Sequence, residues 1–297
     1  MEQNTLEITE QSAVSEFASI RELVNQALEK EFGENRVPNG LSTGFKSLDE
    51  VTGGFQKGQL SCIAVRPGMG KTAFLLSVAN NLAIKNNNTV AIFSTERSNM
   101  KIANRLIETE TGMSLNKIQT GDFKPSERDH MLSLVSSIAK AKLFLDDTPN
   151  LSVEELVRKA RQLKMQHQVD LIIIDYLELL TISADVENRE EELSKIVQEI
   201  KAVAGELDIP ILLFSQLAGV YTGGAGSLPE LKDLPAFINE YPDQVMLLHR
   251  SDLFAREEKE QGKGMVELVV AKCRNQDQQK VVPLTFIESI AKFVDLS

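Results

Sequence analysis

Leu60-Ser61-Cys62-Ile63-Ala64-Val65 runs directly into Arg66-Pro67-Gly68-Met69-Gly70-Lys71-Thr72, and Ala73 to Ala83 continues at helical spacing. An apolar strand, a glycine-containing turn and a helix that opens on Gly-Lys-Thr together make a phosphate cradle. Backbone N–H groups of the turn and the positive helix end face an anion. Gly68 and Gly70 let the chain approach phosphates with no Cβ in the way. The Lys71 ammonium can reach the outer phosphates, and the Thr72 hydroxyl can hold Mg²⁺. The pattern implies binding of a nucleoside triphosphate. Val65 stands where the strict motif asks for Gly, so the flanking strand and helix carry the reading. A chance Gly-Lys-Thr in a surface loop is the alternative.

Outward from the cradle, short apolar runs alternate with helical stretches. Strands are expected over 60–65, 89–94, 142–146, 170–175 and 210–215, and helices over 71–85, 98–111, 126–139, 152–167 and 187–207. Such alternation predicts an α/β fold with a mostly parallel central sheet and helices on both faces. The runs 244–249, 265–272, 280–286 and 292–295 follow with little helix between them, which suggests antiparallel pairing at the C-terminal sheet edge. Ala218 to Ser227 reads as a loop. Upstream, Phe17, Ile20, Leu23, Val24, Ala27 and Leu28 recur at helical spacing. They predict an amphipathic helix over 16–31, behind a disordered 1–14 and ahead of a polar linker from Gly33 to Gly40. Its apolar stripe packs on its own domain or on a neighbouring subunit; the pattern alone favours neither.

A chain of 297 residues holds one large domain or two small ones. Hydrophobic content of 42% and charged content of 25% fit a soluble globular protein. No run of about 18 apolar residues occurs, and Met1 to Gln11 lacks a signal-peptide core, so a cytoplasmic protein with no membrane contact is expected. Cys62 and Cys273 lie in apolar runs and read as buried thiols. His130, His167 and His249 are scattered, which argues against an imidazole metal site. A net charge of −11 opposes strong non-specific binding to nucleic acid, while leaving room for a locally basic channel.

Other candidate positions sit at strand ends. Leu171-Ile172-Ile173-Ile174-Asp175 puts Asp175 at the carboxyl edge of a parallel sheet, where a carboxylate can support Mg²⁺ beside Thr72. A turn or capping aspartate is the plainer alternative. Ala91-Ile92-Phe93-Ser94-Thr95-Glu96 brings Glu96 to the same edge, either as a base that polarises a water at the γ-phosphate or as a solvated helix-start residue. Gln216 ends Leu212-Leu213-Phe214-Ser215-Gln216 and is either a γ-phosphate sensor or structural. Lys272 and Arg274 fall on one side of a strand, as an arginine-finger pair reaching a neighbour's nucleotide or as a surface ion pair.

Together these residues resemble the C-terminal ATPase domain of the bacterial replicative DNA helicase family (DnaB), a RecA-like P-loop motor. The resemblance runs from about Leu41 to Phe293. Its pieces occur in the family's order: Ser42-Thr43-Gly44-Phe45-Lys46-Ser47-Leu48-Asp49, then Arg66 to Thr72, then Phe93-Ser94-Thr95-Glu96. After these come Ile174-Asp175-Tyr176-Leu177, Glu187-Asn188-Arg189, Glu206-Leu207-Asp208-Ile209-Pro210, Ser215-Gln216-Leu217 and Ala271-Lys272-Cys273-Arg274-Asn275. The family also tolerates a non-glycine at the position of Val65. The resemblance implies a homo-oligomer, a hexameric ring with ATP between subunits. It implies that Arg66, Pro67, Gly68, Met69, Gly70, Lys71, Thr72 and Ala73 bind the nucleotide and that Thr72 and Asp175 serve Mg²⁺. Catalysis would fall to Glu96 as base, Lys71, Gln216, and Lys272 and Arg274 acting in trans. Residues 1–34 would carry the linker helix that docks on the adjacent subunit, and 35–297 the ATPase domain.

The sequence departs from the family pattern at named places. About 34 residues precede the domain, so the family's N-terminal domain, which meets primase, is expected to be missing. The loop after Ser-Gln-Leu reads Ala218-Gly219-Val220-Tyr221 in place of Arg and Glu. Pro235-Ala236-Phe237-Ile238-Asn239 replaces an Arg-Glu-Ser-Gly-Ser stretch that supplies backbone contacts to single-stranded DNA, and Gln276 replaces a glycine. These changes bear on strand translocation more than on nucleotide binding. Two functions stay open: a replicative-helicase ATPase acting on single-stranded DNA, with other replication proteins as partners, or a helicase-derived ATP-binding assembly or regulatory protein that unwinds nothing. A recombination or clock-type ATPase shares the fold but not this combination of motifs.

Overall fold

The computed structural model describes residues 20, 40–121, 124–217, 227–254, 264–273 and 279–296. The expected helix over 16–31 (residue 20 apart), the loop that begins at Ala218, and Arg274 with its two following residues lie outside the described residues.

Among the described residues nine strands form one sheet: β1 (Leu60–Val65), β2 (Val90–Ser94), β3 (Leu143–Asp146), β4 (Leu171–Asp175), β5 (Ile211–Gln216), β6 (Gln244–His249), β7 (Met265–Lys272), β8 (Lys280–Ile287) and β9 (Lys292–Asp295). Their spatial order is β3-β2-β4-β5-β1-β6-β7-β8-β9. The first six are mutually parallel, and β7 to β9 pair antiparallel. The central strands are largely apolar, and all their residues but Gln216 are buried, as a sheet covered on both faces requires.

Side chains of β1 divide between the two faces, because they alternate along a strand. Ile63 and Val65 join Phe74, Leu76 and Ile102 in one core. Leu60, Cys62 and Ala64 join Leu156, Ile196 and Ile200 in the other. The helices Lys71–Ala79 and Asn99–Thr111 therefore cover the first face, and Val153–His167 and Arg189–Leu207 the second. The last two begin where the sequence gives them caps. The side chain of Ser152 accepts from Glu155 N at 3.2 Å, and that of Asn188 from Glu191 N at 2.9 Å. Glutamates in both first turns complement the helix dipole.

Two expectations need correction. The run 244–249 is antiparallel on one side only: β6 pairs antiparallel with β7, but on its other side it lies beside β1 and runs parallel to it. All six of its residues are buried, which is the pattern of a central strand, and the long connection 217–243 gives the chain room to cross over. The helix expected over 71–85 is α-helical only to Ala79, with Asn80–Lys85 as a π-helical turn. A short helix, Lys46–Thr52, goes unread in the sequence. Its first turn is held by a distant partner, since the Asp295 carboxylate accepts from Lys46 N at 2.7 Å and Ser47 Oγ at 2.5 Å.

Cys62 and Cys273 are free and buried, and burial raises the Cys62 thiol pKa far above its usual value. Beneath the phosphate loop, Phe74 stacks on Phe45 at 5.4 Å and meets Phe293 edge-on at 5.4 Å. Phe293 in turn touches Phe286 at 4.8 Å. Truncating a fully buried Phe removes its transfer energy and leaves a cavity. We expect Phe74→Ala to lower stability by about 3–5 kcal/mol. Urea unfolding reads this directly, and a loss below about 1 kcal/mol would mean that the cluster is not a packed core.

Candidate functional site

The carboxyl ends of β2, β4, β5 and β1 stand side by side, in that order. Register places Ser94 beside Asp175, and Val65 beside Gln216. The segments leaving these strands therefore converge, as they do at the ligand edge of open α/β sheets. Between them opens a cleft of about 330 Å³, lined among others by Gly68, Lys71, Thr72, Glu96, Arg97 and Gln216. Arg66, Pro67, Gly70, Ala73 and Arg105 line it too.

Gly70 is in the left-handed region with φ +95, at the start of the helix Lys71–Ala79. A Cβ there would stand 3.0 Å from the Phe293 ring, so the conformation calls for glycine and the close ring adds to that preference. At Gly68, with φ +80, a Cβ would meet nothing within 4 Å, and the space over the loop is open. The Met69 side chain is buried in the core, and its N–H donates to Arg66 O at 3.2 Å.

The Lys71 ammonium is the centre of the charge pattern. It donates to Glu96 Oε2 at 2.8 Å, lies 2.7 Å from Asp175 Oδ1, and sits 3.5 Å above the Tyr176 ring. The Asp175 contact is a buried ion pair, and a carboxylate oxygen has more than one lone pair, which leaves Oδ1 with further acceptor capacity. Asp175 lies under Lys71, its side chain only 2% exposed, and does not line the cleft itself. Burial raises its pKa, and the Lys71 charge offsets only part of that. Glu96 is shifted the other way. Burial acts to raise its pKa, but the Lys71 hydrogen bond and the charges of Lys71 and Arg97 together bring it below the usual value. Glu96 is therefore ionised at neutral pH. The Asp175–Tyr176 peptide is cis, and Asp175 O accepts from Thr95 N at 2.9 Å, which ties the tips of β2 and β4 together.

Three residues that the sequence reading passed over belong here. Arg97 Nε donates to Thr72 Oγ1 at 3.2 Å. Arg105 reaches the same cleft from the helix Asn99–Thr111; burial, and then the like charge of Arg97, lower its pKa. Glu178, in the turn Leu177–Leu179, accepts from Ser215 Oγ at 2.5 Å and from Gln216 N at 3.0 Å, so it fixes the end of β5 against the end of β4. Burial raises its pKa, against the opposing hydrogen bonds from Ser215 and Gln216. Its signal in the sequence is a lone carboxylate within Tyr176-Leu177-Glu178-Leu179-Leu180.

Lys272 lies elsewhere. Its ammonium donates to Asn239 O at 2.6 Å and Glu240 O at 3.2 Å, at the end of the short helix Ala236–Glu240. It does not line the cleft of its own chain. Arg274 lies outside the described residues. No helix among the described residues is long and apolar enough to cross a membrane.

Comparison with known proteins agrees with this geometry. Residues 40–295 match the family described as DnaB-like helicase C terminal domain. The chain is 33% identical to the replicative DNA helicase DnaB of Geobacillus stearothermophilus, over 98% of this chain and 65% of that protein. It is 32% identical to the replicative DNA helicase DnaC of Bacillus subtilis, over 99% of this chain and 66% of that protein. The chain thus spans a little under two thirds of these relatives. Among solved structures, the ATPase domain of G40P superposes with a TM-score of 0.86 at 28% identity, covering 95% of this chain and all (100%) of that one. A DnaB-like replicative helicase, described with its interactions with primase, superposes with a TM-score of 0.83 at 30% identity, covering 95% of this chain and 68% of that one. The fold, the order of the motifs and these matches agree, and the chain belongs to the DnaB-like helicase C-terminal domain family.

Proposed function

We propose that this chain is the ATP-hydrolysing motor domain of a DnaB-like replicative helicase, acting on single-stranded DNA in the cytoplasm. The observation that carries the reading is the Lys71 ammonium at the head of its helix, held by Glu96 and Asp175 under an open phosphate cradle. A cation kept between two acids at a helix N-terminus can exchange them for phosphate oxygens without leaving the cleft. The family membership points the same way.

The residues present fit a magnesium–nucleotide complex. Thr72 offers a hydroxyl and Asp175 a buried carboxylate with unused acceptor capacity, both hard oxygen donors suited to Mg²⁺. When bound, the ion would neutralise charge that develops on the β- and γ-phosphate oxygens. Lys71 would move to those phosphates and release Glu96. Glu96, ionised at neutral pH, would then accept a proton from the attacking water. Gln216, fixed through Glu178, would contact the γ-phosphate and relay its loss to the segment that follows β5. Residues 35–297 form the motor domain in this reading, and the helix within 1–34 docks on an adjacent subunit of a hexameric ring. Lys272 and Arg274 would serve the neighbour's nucleotide, with Lys272 giving up its contacts to Asn239 and Glu240. Replication proteins are the expected partners, since one structural relative is described with primase.

One observation favours the second reading, a helicase-derived assembly or regulatory ATPase that unwinds nothing. The segment in place of the family's DNA-contacting stretch folds as the short helix Ala236–Glu240, with Phe237 and Ile238 buried in the core. Its backbone is committed to that helix and to Lys272 rather than presented to a strand.

Lys71→Ala is expected to abolish ATP turnover while the helical circular dichroism is kept; turnover within about threefold of the parent would remove the assigned site. Single-stranded DNA is expected to stimulate turnover. Hydrolysis that DNA leaves unchanged selects the second reading, and unwinding of a forked duplex eliminates it. Arg274→Ala is expected to lower turnover by about 10³, and a loss below about tenfold would make it a surface charge. Mixing Arg274→Ala with Glu96→Gln subunits should regenerate some active interfaces. A mixture no more active than its parts would contradict sites shared between subunits.

A further inference from the structure

We propose that Arg97 is a phosphate ligand that substitutes for the divalent cation. With no metal bound, its guanidinium neutralises the terminal phosphates of the nucleotide; when metal arrives, it withdraws from the Thr72 hydroxyl. The proposal rests on the nucleotide reading above and assigns a role to a residue that this reading leaves idle.

The geometry is a competition for one oxygen. Arg97 Nε lies 3.2 Å from Thr72 Oγ1, the oxygen assigned to the metal. A hydroxyl has two lone pairs, but a guanidinium and a dication on the same oxygen repel each other. Arg97 must therefore move when the metal binds. It is built to do so. Its backbone is anchored, with its N–H donating to Ser94 Oγ at 3.2 Å. Its head is about one-third (35%) exposed and meets Glu96 Oε1 only loosely, at 3.6 Å. The other Glu96 oxygen is held by Lys71.

The surroundings call for an anion. Arg97 and Arg105 line the same cleft as the phosphate loop. They stand near enough for the charge of Arg97 to disfavour that of Arg105, and Glu108 compensates only in part. Crowded guanidinium groups facing a phosphate cradle are satisfied by phosphate oxygens, which the planar donor fork of arginine can grip in pairs. The competing explanation is mechanical: Arg97 would only tie the end of β2 to the helix Lys71–Ala79. That explanation predicts no link between Arg97 and metal.

The test is equilibrium binding, with no turnover involved. A fluorescent ATP analogue is titrated into the full chain by anisotropy, once with excess Mg²⁺ and once with EDTA, for the parent, Arg97→Ala and Arg97→Gln. We expect Arg97→Ala to lose about tenfold or more in affinity in EDTA and less than about threefold with Mg²⁺. Arg97→Gln can still donate to Thr72 but carries no charge, so it should behave like Arg97→Ala; it also serves should the alanine variant fail to fold. A loss no larger in EDTA than with Mg²⁺, or full metal-free affinity in Arg97→Gln, overturns the proposal and leaves the nucleotide site standing. A parent chain that binds the analogue in neither buffer overturns the nucleotide reading, and this proposal with it.

Discussion

One ammonium group holds the site together. Glu96 and Asp175 come from the ends of β2 and β4, two neighbouring strands of a parallel sheet, so backbone pairing alone forces their carboxylates to the same edge. Two anions brought together repel each other, and burial adds to the cost for Asp175. The cation between them removes both problems. Lys71 can be there because it opens the helix after β1, close to the β2 and β4 ends in the strand order. Sheet order, loop conformation and charge balance are thus a single arrangement, and phosphate chemistry is what that arrangement can do.

The loop that carries Lys71 depends on residues far along the chain. Phe293 packs close under Gly70, 3.0 Å from where a Cβ would stand, and its N–H donates to Ser77 Oγ at 3.0 Å, inside the helix that the loop feeds. Two residues later, Asp295 caps the helix Lys46–Thr52. The antiparallel strands β7 to β9 are therefore more than an extension of the sheet. They bring the end of the domain back against its phosphate loop, and an aromatic cluster of Phe45, Phe74, Phe286 and Phe293 seals the join. Disturbance in that cluster is transmitted to the cradle because the interior is close-packed.

The parallel strands were legible because buried runs such as Ile172-Ile173-Ile174 are apolar without interruption, and because helices separate them. The phosphate loop was legible because its chemistry needs particular residues at particular spacings. The parallel pairing of β6 with β1 was not, since periodicity reports burial and says nothing of which neighbour a strand takes. Arg97 and Glu178 were missed for a related reason. Each is one charged residue beside a strand end, and only the fold reveals that Arg97 meets Thr72 and Glu178 meets Gln216. The burial of the Met69 side chain was not legible either, because the motif fixes the backbone of the loop and not where each side chain goes. The short helix Lys46–Thr52 went unseen because the carboxylate that caps it is contributed by Asp295, from the other end of the domain.

The account stands on Lys71 changing partners from carboxylate to phosphate. A crystal structure of the chain with Mg²⁺ and a non-hydrolysable ATP analogue tests this most directly. The account predicts Lys71 Nζ on the β- and γ-phosphate oxygens and parted from Glu96. An analogue bound elsewhere, with Lys71 still clasped between Glu96 and Asp175, would contradict it.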